Sequence, residues 1–488
     1  MTNCKLEVRG WLFKFQMQTC HLPLALVAGL IGLAIVNGCA VGPDFKSPQA
    51  KTPAAWSDAT NSASAETRLT TNWTGLAQWW TNFQDPKLVE LVNEALRTNL
   101  DIQSAQAHLR QAFASRGIAE GGLWPSLTAS GAAAYGQSAT FSEKSYRAGL
   151  NGVWDLDVFG GTRRSVEAAT ASLLAAQEDM RNVRVTVASA VALAYIDLRS
   201  AQSQIQTAKE NLDTEQRTAE VTRQKLRAGF VSALDVANAE AQAASTAAGI
   251  PTLETIAQQD IYSLSVLLGR LPTDLVDDLS KPGATLMMPP EVPAGLPSEL
   301  LRRRPDIRMA EANLHSAAAQ IGVAEAAFFP QFSLTGSVNF QNQNDVLGRL
   351  FNTGNRVWSI GPQINWPIFQ GGSVASNVRM QKALRDASYI AYQQTVLNAC
   401  KDVENQLVAL AKEWDHRKLL ADETKNYRQA LKLSQQLYQQ GTLEFVNVLD
   451  AERSVYQAET ALGISRTDIL VDLVNLYRAL GGGWEDAK

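Results

Sequence analysis

Three side chains near the end of the sequence have the spacing of neighbours on one helical face. Val446, Asp450 and Arg453 stand at positions i, i+4 and i+7 of a predicted helix. A carboxylate and a guanidinium so placed can form an ion pair. Three copies of the carboxylate around an axis would disfavour anions and favour cations. The alternative is an ordinary solvated helix face that carries a weak Asp–Arg pair.

No other group of residues has the spacing of a known catalytic or metal site. The four histidines, at positions 21, 108, 315 and 416, fall on separate segments, without the spacing of metal ligands. The sequence contains neither HExxH nor GxSxG, and neither a phosphate-binding loop nor GxGxxG. We therefore expect no enzymatic activity, no metal and no cofactor apart from a covalently attached lipid.

The expected lipid site is Cys39. Three basic residues lie within the first 14 positions, and an apolar run at residues 22–36 leads into Val-Asn-Gly-Cys39. This order is typical of a signal peptide, and a cysteine after small residues resembles a bacterial lipoprotein signal. Residues 1–38 would be removed, and lipid on Cys39 would add about 0.8 kcal/mol of membrane binding per buried methylene. The alternative is an ordinary signal peptide followed by an incidental cysteine. In such lipoproteins Ala40, rather than aspartate, after the cysteine implies sorting to the outer membrane.

Composition excludes several classes of protein. The 488 residues carry a net charge of −4 and a pI near 5.8, so the basic patch typical of nucleic-acid binding is not expected. Beyond the signal peptide no stretch reaches about 18 consecutive apolar residues, which excludes a membrane-spanning helix in the mature chain. Cys400 would remain as a lone thiol, so no disulfide framework is expected.

Four segments read as strands with one apolar and one polar face. Residues 145–158, 331–341 and 357–368 alternate with a period of two, and the Gly/Ala-rich residues 127–137 do so more weakly. Each is about as long as a tilted strand that crosses a bilayer. Four strands cannot close a membrane barrel, for which about eight are needed, and an open edge is not tolerated in lipid. We therefore expect several copies of the chain to combine their strands.

The strands lead into unusually long helices. Residues 162–228 contain neither proline nor an internal glycine, which predicts a helix on the order of 100 Å long. Small and apolar residues from Val166 to Leu212 step by three and four, with one additional four-residue step after Ala194. This alanine-rich seam favours the wall of a hollow cylinder over a solid bundle.

The two halves of the mature chain follow one plan, which indicates an internal duplication. Gly117 and Pro125 recur 205 positions later, and Gly229 and Gly269 recur 212 positions later. The predicted organisation is a signal peptide (1–38), an extended N-terminal arm (39–84) that lacks a core over residues 42–71, a first repeat (85–271), a Pro-rich linker (272–297), a second repeat (298–484) and a tail (485–488). The repeats hold strands at about 126–137 and 145–158, and at about 331–341 and 356–368, followed by helical hairpins at about 162–269 and 372–480.

Six short motifs are spread over the mature chain. They are Cys39-Ala-Val-Gly-Pro-Asp-Phe45, Trp79-Trp80 with Phe83 and Asp85-Pro86, Arg304-Pro305-Asp306-Ile307, Phe329-Pro330, Phe369-Gln370-Gly371-Gly372 and Ala479-Leu-Gly-Gly-Gly-Trp484. Together they resemble the TolC/OprM family of outer-membrane efflux proteins, in its lipoprotein (NodT-like) branch.

The resemblance implies a mainly α fold with transmembrane β strands. Three subunits with four strands each would form a 12-stranded β-barrel continuous with a long α-helical barrel. The implied function is the exit duct of a tripartite pump that passively exports drugs or other small molecules. Its partners would be two further copies of itself, a periplasmic adaptor (membrane fusion protein), an inner-membrane transporter of the RND type and outer-membrane lipid, but no nucleic acid. A type I protein-secretion duct or a metal-efflux duct is the alternative within the family. A periplasmic coiled-coil scaffold without a pore is the alternative outside it.

The resemblance also assigns roles to residues at the far ends of the helical hairpins. The adaptor-docking tips would be Arg227, Gly229 and Phe230 in the first repeat and Gln440, Gly441 and Thr442 in the second. Both glycines also suit the residue that ends a long helix.

The gate of the periplasmic mouth would consist of Val446, Asp450 and Arg453, with Asp235 in the corresponding region of the first repeat. Asp235 has a second interpretation, because Ser232-x-x-Asp235 is a capping box. From the sequence both interpretations stay open.

Overall fold

The computed structural model describes residues 40–50, 53–56, 68–70, 76–137, 142–283, 286–289, 291–293, 297–342 and 347–485. The predicted signal peptide and Cys39 lie outside these residues. The chain divides into two compact units. We call them the strand unit, centred on residues 122–163 and 325–371, and the helical unit, which holds most of the remainder. No helix in the described ranges offers an apolar stretch long enough to cross a membrane.

The strand unit contains one four-stranded antiparallel sheet in the order β2-β3-β5-β6. Its members are β2 (Ser126–Gln137), β3 (Ser142–Leu156), β5 (Gln331–Asn342) and β6 (Arg356–Asn365). These bounds lie within a few residues of the segments that alternate with a period of two. The sheet therefore contains one strand pair from each repeat, joined through β3 and β5.

The register of the sheet places apolar residues opposite apolar residues. Leu150 of β3 pairs with Val338 of β5, and Val338 pairs with Trp358 of β6. On the opposite face Asn151 pairs with Ser337, whose hydroxyl lies 3.0 Å from that of Ser359. The apolar face is largely uncovered in the single chain, since 64% of Trp358 is exposed. Among the described strands, β2 and β6 also each have one edge without a partner strand.

The helical unit is dominated by two long helical hairpins. The α-helices among the described residues are α1 (Pro86–Thr98), α2 (Leu100–Gly121), α3 (Gly161–Arg227), α4 (Ala233–Leu267), α5 (Val276–Leu279), α6 (Pro297–Arg303), α7 (Pro305–Ala326), α8 (Ser373–Gln439) and α9 (Phe445–Ala479). Helices α3 and α8 each have 67 residues, and their hairpin partners α4 and α9 each have 35. Equal lengths in the two halves are the structural form of the duplication.

Each long hairpin helix ends in the same way. Gly229, Gly269, Gly441 and Gly481 all have a positive φ, between 71° and 78°. At each one the glycine N–H and the N–H that follows it donate to carbonyls of the last helical turn, as Gly229 N does to Leu226 O at 2.9 Å. This is the Schellman cap, which needs a residue that tolerates the left-handed conformation.

The aromatic motif around Trp79 forms the main core of the helical unit. The Trp79 ring stacks on Tyr477 with centroids 5.2 Å apart, and both side chains are fully buried. Asp85 caps α1 by accepting from Lys87 N at 2.8 Å and from Leu88 N at 3.1 Å. It also accepts a hydrogen bond from the hydroxyl of Tyr195 at 2.9 Å, which connects α1 to α3.

The expectation of an N-terminal arm without a core is wrong. Trp56 is only 5% exposed and belongs to the main core. In addition, β1 (Arg68–Thr70) pairs in parallel with β4 (Glu291–Pro293), which attaches the arm to the Pro-rich linker. A short ladder between segments more than 200 residues apart leaves no local signal in the sequence.

The predicted seam of α3 also differs from the buried face that the structure has. Over residues 161–180 of this helix the buried residues are Arg164, Ala168, Ala171, Ala175 and Glu178. This face is displaced by about two residues from the predicted seam, whose members there are only half-buried. Its polar members have ion-pair partners: Arg164 lies 2.7 Å from Glu167, and Glu178 lies 2.7 Å from Arg308.

Candidate functional site

The tips of the two helical hairpins lie side by side in the helical unit. The ammonium group of Lys225, near the end of α3, is 4.0 Å from the ring centroid of Tyr438, near the end of α8. A small cluster of buried side chains joins the two hairpins close to the tips. Its members are Ala219, Ala239, Phe445, Val448 and Leu449. The two predicted docking segments therefore form one local surface.

In the first tip, Arg227 is the last residue of α3, and Gly229 provides the positive φ that turns the chain. A Cβ at Gly229 would meet nothing within 4 Å, so the backbone conformation, rather than space, requires glycine. Phe230 follows with 80% of its surface exposed. An aromatic side chain held in this way at the end of a rod is available for contact with another protein.

The second tip repeats this geometry with polar side chains. Gln440 is the C-cap of α8, and Gly441 has a φ of 76°. Both the backbone N–H and the hydroxyl of Thr442 donate to Leu437 O, at 3.1 Å and 3.0 Å. The side chain of Thr442 therefore completes the cap of α8.

The structure brings the predicted gate residues together at the start of α9. Arg453 Nη1 lies 3.7 Å from Asp450 Oδ1, and both side chains are more than half exposed. Val446 lies one turn earlier and is 43% exposed. The pair is thus a solvated one, whose strength in a single chain is small.

A fourth residue belongs to this group, and the sequence did not indicate it. Arg453 Nε donates to Gln242 Oε1 at 3.2 Å, a contact between α9 and α4. The two residues are 211 positions apart, and a glutamine on an alanine-rich helix carries no distinguishing pattern. This hydrogen bond connects the candidate gate of the second repeat to the first hairpin.

Asp235 has the geometry of a cap. Its Oδ2 accepts from the backbone N–H of Ser232 at 2.9 Å and from the Ser232 hydroxyl at 2.8 Å, and its own N–H donates back to that hydroxyl. The capping box at the start of α4 is therefore confirmed. The structure does not join Asp235 by a hydrogen bond or ion pair to the three residues of α9.

Further acidic residues lie along the hairpins at some distance from the tips. Asp260 of α4 and Asp472 of α9 occupy equivalent positions, 212 residues apart. Burial raises the pKa of each carboxyl to about 6; Asp197 adds to the effect at Asp260, and Glu413 with Asp468 adds to it at Asp472. Within the described ranges, no group of three or more His, Cys, Asp or Glu side chains has the geometry to hold a metal ion.

Comparison with known proteins gives consistent results. The outer membrane efflux protein family matches residues 91–270 and 296–482, so each repeat is matched separately. Nodulation protein T of Rhizobium leguminosarum bv. trifolii is 32% identical over 461 residues, covering 92% of this chain and 96% of that protein. The toluene efflux pump outer membrane protein TtgC of Pseudomonas putida is 32% identical over 474 residues, covering 95% of each chain.

A solved structure of the outer-membrane channel OprN superposes with a TM-score of 0.83 at 34% sequence identity. The match covers 91% of this chain and all of that one. It therefore includes both the four-stranded sheet and the helical hairpins. On the strength of the matches to both repeats and of relatives that span almost its whole length, this chain belongs to the outer membrane efflux protein family.

Proposed function

We propose that the chain is one subunit of a homotrimeric exit duct of a tripartite efflux pump. It would be anchored in the outer membrane by lipid on Cys39. The observation that carries this proposal is the four-stranded sheet, with an uncovered apolar face and unpaired edges at β2 and β6. In lipid those edges must pair, and pairing β6 of one copy with β2 of the next closes a barrel of 12 strands from three copies.

The candidate gate and the tips both lie at the end of the duct that would face the periplasm. Three copies of Val446, Asp450 and Arg453 around the trimer axis would narrow the periplasmic mouth. The tips around Gly229 and Gly441 would contact a periplasmic adaptor, which joins the duct to an inner-membrane transporter of the RND type. Asp235 is assigned to the cap, since its carboxylate already bonds to Ser232.

Small molecules are the cargo that we favour. Supporting this choice, one of the relatives is a toluene efflux pump protein. A type I protein-secretion duct or a metal-efflux duct would use the same architecture, and gene neighbours that encode a transporter and an adaptor would separate the three. A coiled-coil scaffold without a pore would not explain why the sheet has an uncovered apolar face.

The test of the duct is the assembly and conductance of the purified mature protein in detergent. We expect a mass of three chains, a gel mobility that changes on heating, and ion-conducting channels after insertion into planar bilayers. A stable water-soluble monomer, or a trimer that never conducts, would refute the proposal.

The lipid anchor makes a separate prediction. Replacing Cys39→Ser should abolish metabolic labelling with a palmitate probe, because the serine hydroxyl does not form the thioether. Cys400→Ser is the matched control and should keep the full label, since Cys400 lies within α8. Continued labelling of the Cys39 variant would place the anchor elsewhere.

A further inference from the structure

Two glutamates are buried between the hairpins, close to the candidate gate. Glu215 of α3 is 4% exposed and Glu452 of α9 is 6% exposed. Gln242 Nε2 donates to Glu215 Oε1 at 3.0 Å, and the Thr218 hydroxyl donates to Glu452 Oε1 at 3.2 Å. The second oxygen of each carboxylate, Oε2, is buried and makes no hydrogen bond within the described residues. Unpartnered buried carboxylate oxygens are costly and call for an explanation.

Gln242 connects Glu215 to Arg453. An ionised carboxylate can only accept hydrogen bonds, so Gln242 must turn its NH2 group toward Glu215. Its amide oxygen then faces the other way and accepts from Arg453 Nε at 3.2 Å. The charge on Glu215 therefore dictates which end of the amide Arg453 meets.

No lysine or arginine in the described ranges forms an ion pair with either glutamate. The charged groups on the surrounding helices are engaged elsewhere or solvated. The ion pairs are Asp213–Arg217 within α3, Arg223–Glu240 between α3 and α4, Arg428–Glu459 between α8 and α9, and Asp450–Arg453 within α9. Lys432 of α8 is exposed. Two buried negative charges close to each other therefore lack a counter-ion.

This environment favours the protonated form of one glutamate. Burial raises the pKa of Glu452, and the negative charge of Glu215 raises it further. The Thr218 hydroxyl and the Gln435 side chain act in the opposite direction without cancelling the rise.

We propose that Glu215, Gln242 and Glu452 form a buried relay that positions Arg453, and that a proton held by Glu452 maintains it. Protonation of Glu452 removes the negative charge of that carboxyl, while the Glu215 carboxylate orients the amide of Gln242. The role of Arg453 at the mouth rests on the proposed function. The relay itself rests on the hydrogen bonds and burial described above.

The direction of the pH effect follows from proton binding. Separation of the hairpins at the mouth would admit water and return the Glu452 pKa toward its ordinary value. The packed arrangement therefore binds the proton more tightly than the separated one. Its advantage is full at a pH below the ordinary pKa of glutamate and is lost as the pH rises through the raised pKa. Open probability should increase with pH, by as much as about tenfold per pH unit for each proton released.

The experiment is single-channel recording in planar bilayers from about pH 4 to 9, a range that starts near the ordinary pKa of glutamate and extends above it. We expect wild type to open more as the pH rises, and Glu452→Gln to stay at the low, acidic-pH level throughout. Glu240→Gln is the matched control, because Glu240 occupies the equivalent position 212 residues earlier but is exposed. It should follow the wild-type profile.

A second pair of variants tests the hydrogen bond to Arg453. Gln242→Leu should increase opening at every pH, and Arg453→Ala should have a smaller effect in that variant than in wild type, because the hydrogen bond is already lost and only the ion pair with Asp450 remains to be removed. A wild-type pH profile in Glu452→Gln, or additive effects of the two substitutions, would overturn the relay.

A measurement that does not depend on conductance distinguishes a failure of the relay from a failure of the proposed function. If the trimer does not conduct, the duct is refuted, and the relay is judged by the apparent Tm of the detergent-solubilised protein. The wild-type Tm should fall relative to that of Glu452→Gln as the pH rises. Parallel Tm curves for the two proteins would count against the relay.

Discussion

An arginine in place of Ile360 is expected to eliminate the heat-resistant trimer, whereas an arginine in place of Ser359 should leave it intact. Ile360 lies at the centre of β6, opposite Gly336, and is 69% exposed on the apolar face. An arginine facing lipid near the bilayer midplane costs about 2–4 kcal/mol, hence roughly 6–12 kcal/mol for three subunits. That is comparable to the whole stability of an ordinary protein.

The neighbouring position provides the control. Ser359 differs from Ile360 by one residue along the same strand, but it faces the other side of the sheet, where it lies opposite Ser337. In the proposed barrel this side is the water-filled interior, in which a charge is tolerated. Trimer content would be measured by heat-modifiable gel mobility of outer-membrane fractions. Equal loss in both variants, or in neither, would show that the apolar face does not meet lipid.

The strands could be predicted from the sequence because successive side chains along a strand point to opposite faces of the sheet. A period of two identifies the apolar and polar faces without knowledge of the partner strand, as Leu150 and Asn151 illustrate. The register that places Leu150 opposite Val338 then follows from matching like faces. The ends of the long helices could also be predicted from neighbouring residues, because a glycine with a positive φ ends each of them.

Features that depend on partners distant in the sequence were not predicted or were predicted wrongly. The buried face of α3 includes Arg164 and Glu178, which a search for apolar spacing rejects. Both are buried because they meet partners from other segments, Asp44 and Arg308, each at 2.7 Å. Trp56 looked like part of an uncored arm because its neighbours are small and polar, yet its indole joins the main core.

The residues of the candidate site likewise divide into those that the sequence predicts and those that only the packing identifies. Asp450 and Arg453 could be paired from spacing alone, since both lie on one helix. Gln242 and Glu215 come from two other helices and gain their importance only when the hairpins pack. Glu452 lies two residues from Asp450, and its burial on the other side of α9 distinguishes it from the exposed aspartate.

Replacing Asp450→Ala should increase the single-channel conductance and the entry of antibiotics into cells that carry the duct. The change removes the carboxylate 3.7 Å from Arg453 and, in the proposed trimer, a ring of three negative charges. An exposed ion pair contributes about 0.2–1 kcal/mol, so three copies bias the mouth by roughly 0.6–3 kcal/mol, or about 3-fold to 150-fold in the ratio of open to closed states. Because the pair is solvated, the effect should shrink at high salt.

Asp213→Ala is the matched control for this prediction. Asp213 also forms an exposed ion pair with an arginine on its own helix, 2.7 Å from Arg217, and its exposure of 60% is close to the 63% of Asp450. Loss of that pair should leave conductance unchanged, because the pair is not among the residues predicted at the mouth. If both variants conduct alike, Asp450 is an ordinary solvated residue of α9. An increase confined to Asp450→Ala assigns the gate to α9, because a general loosening of the hairpins would raise the conductance of both variants.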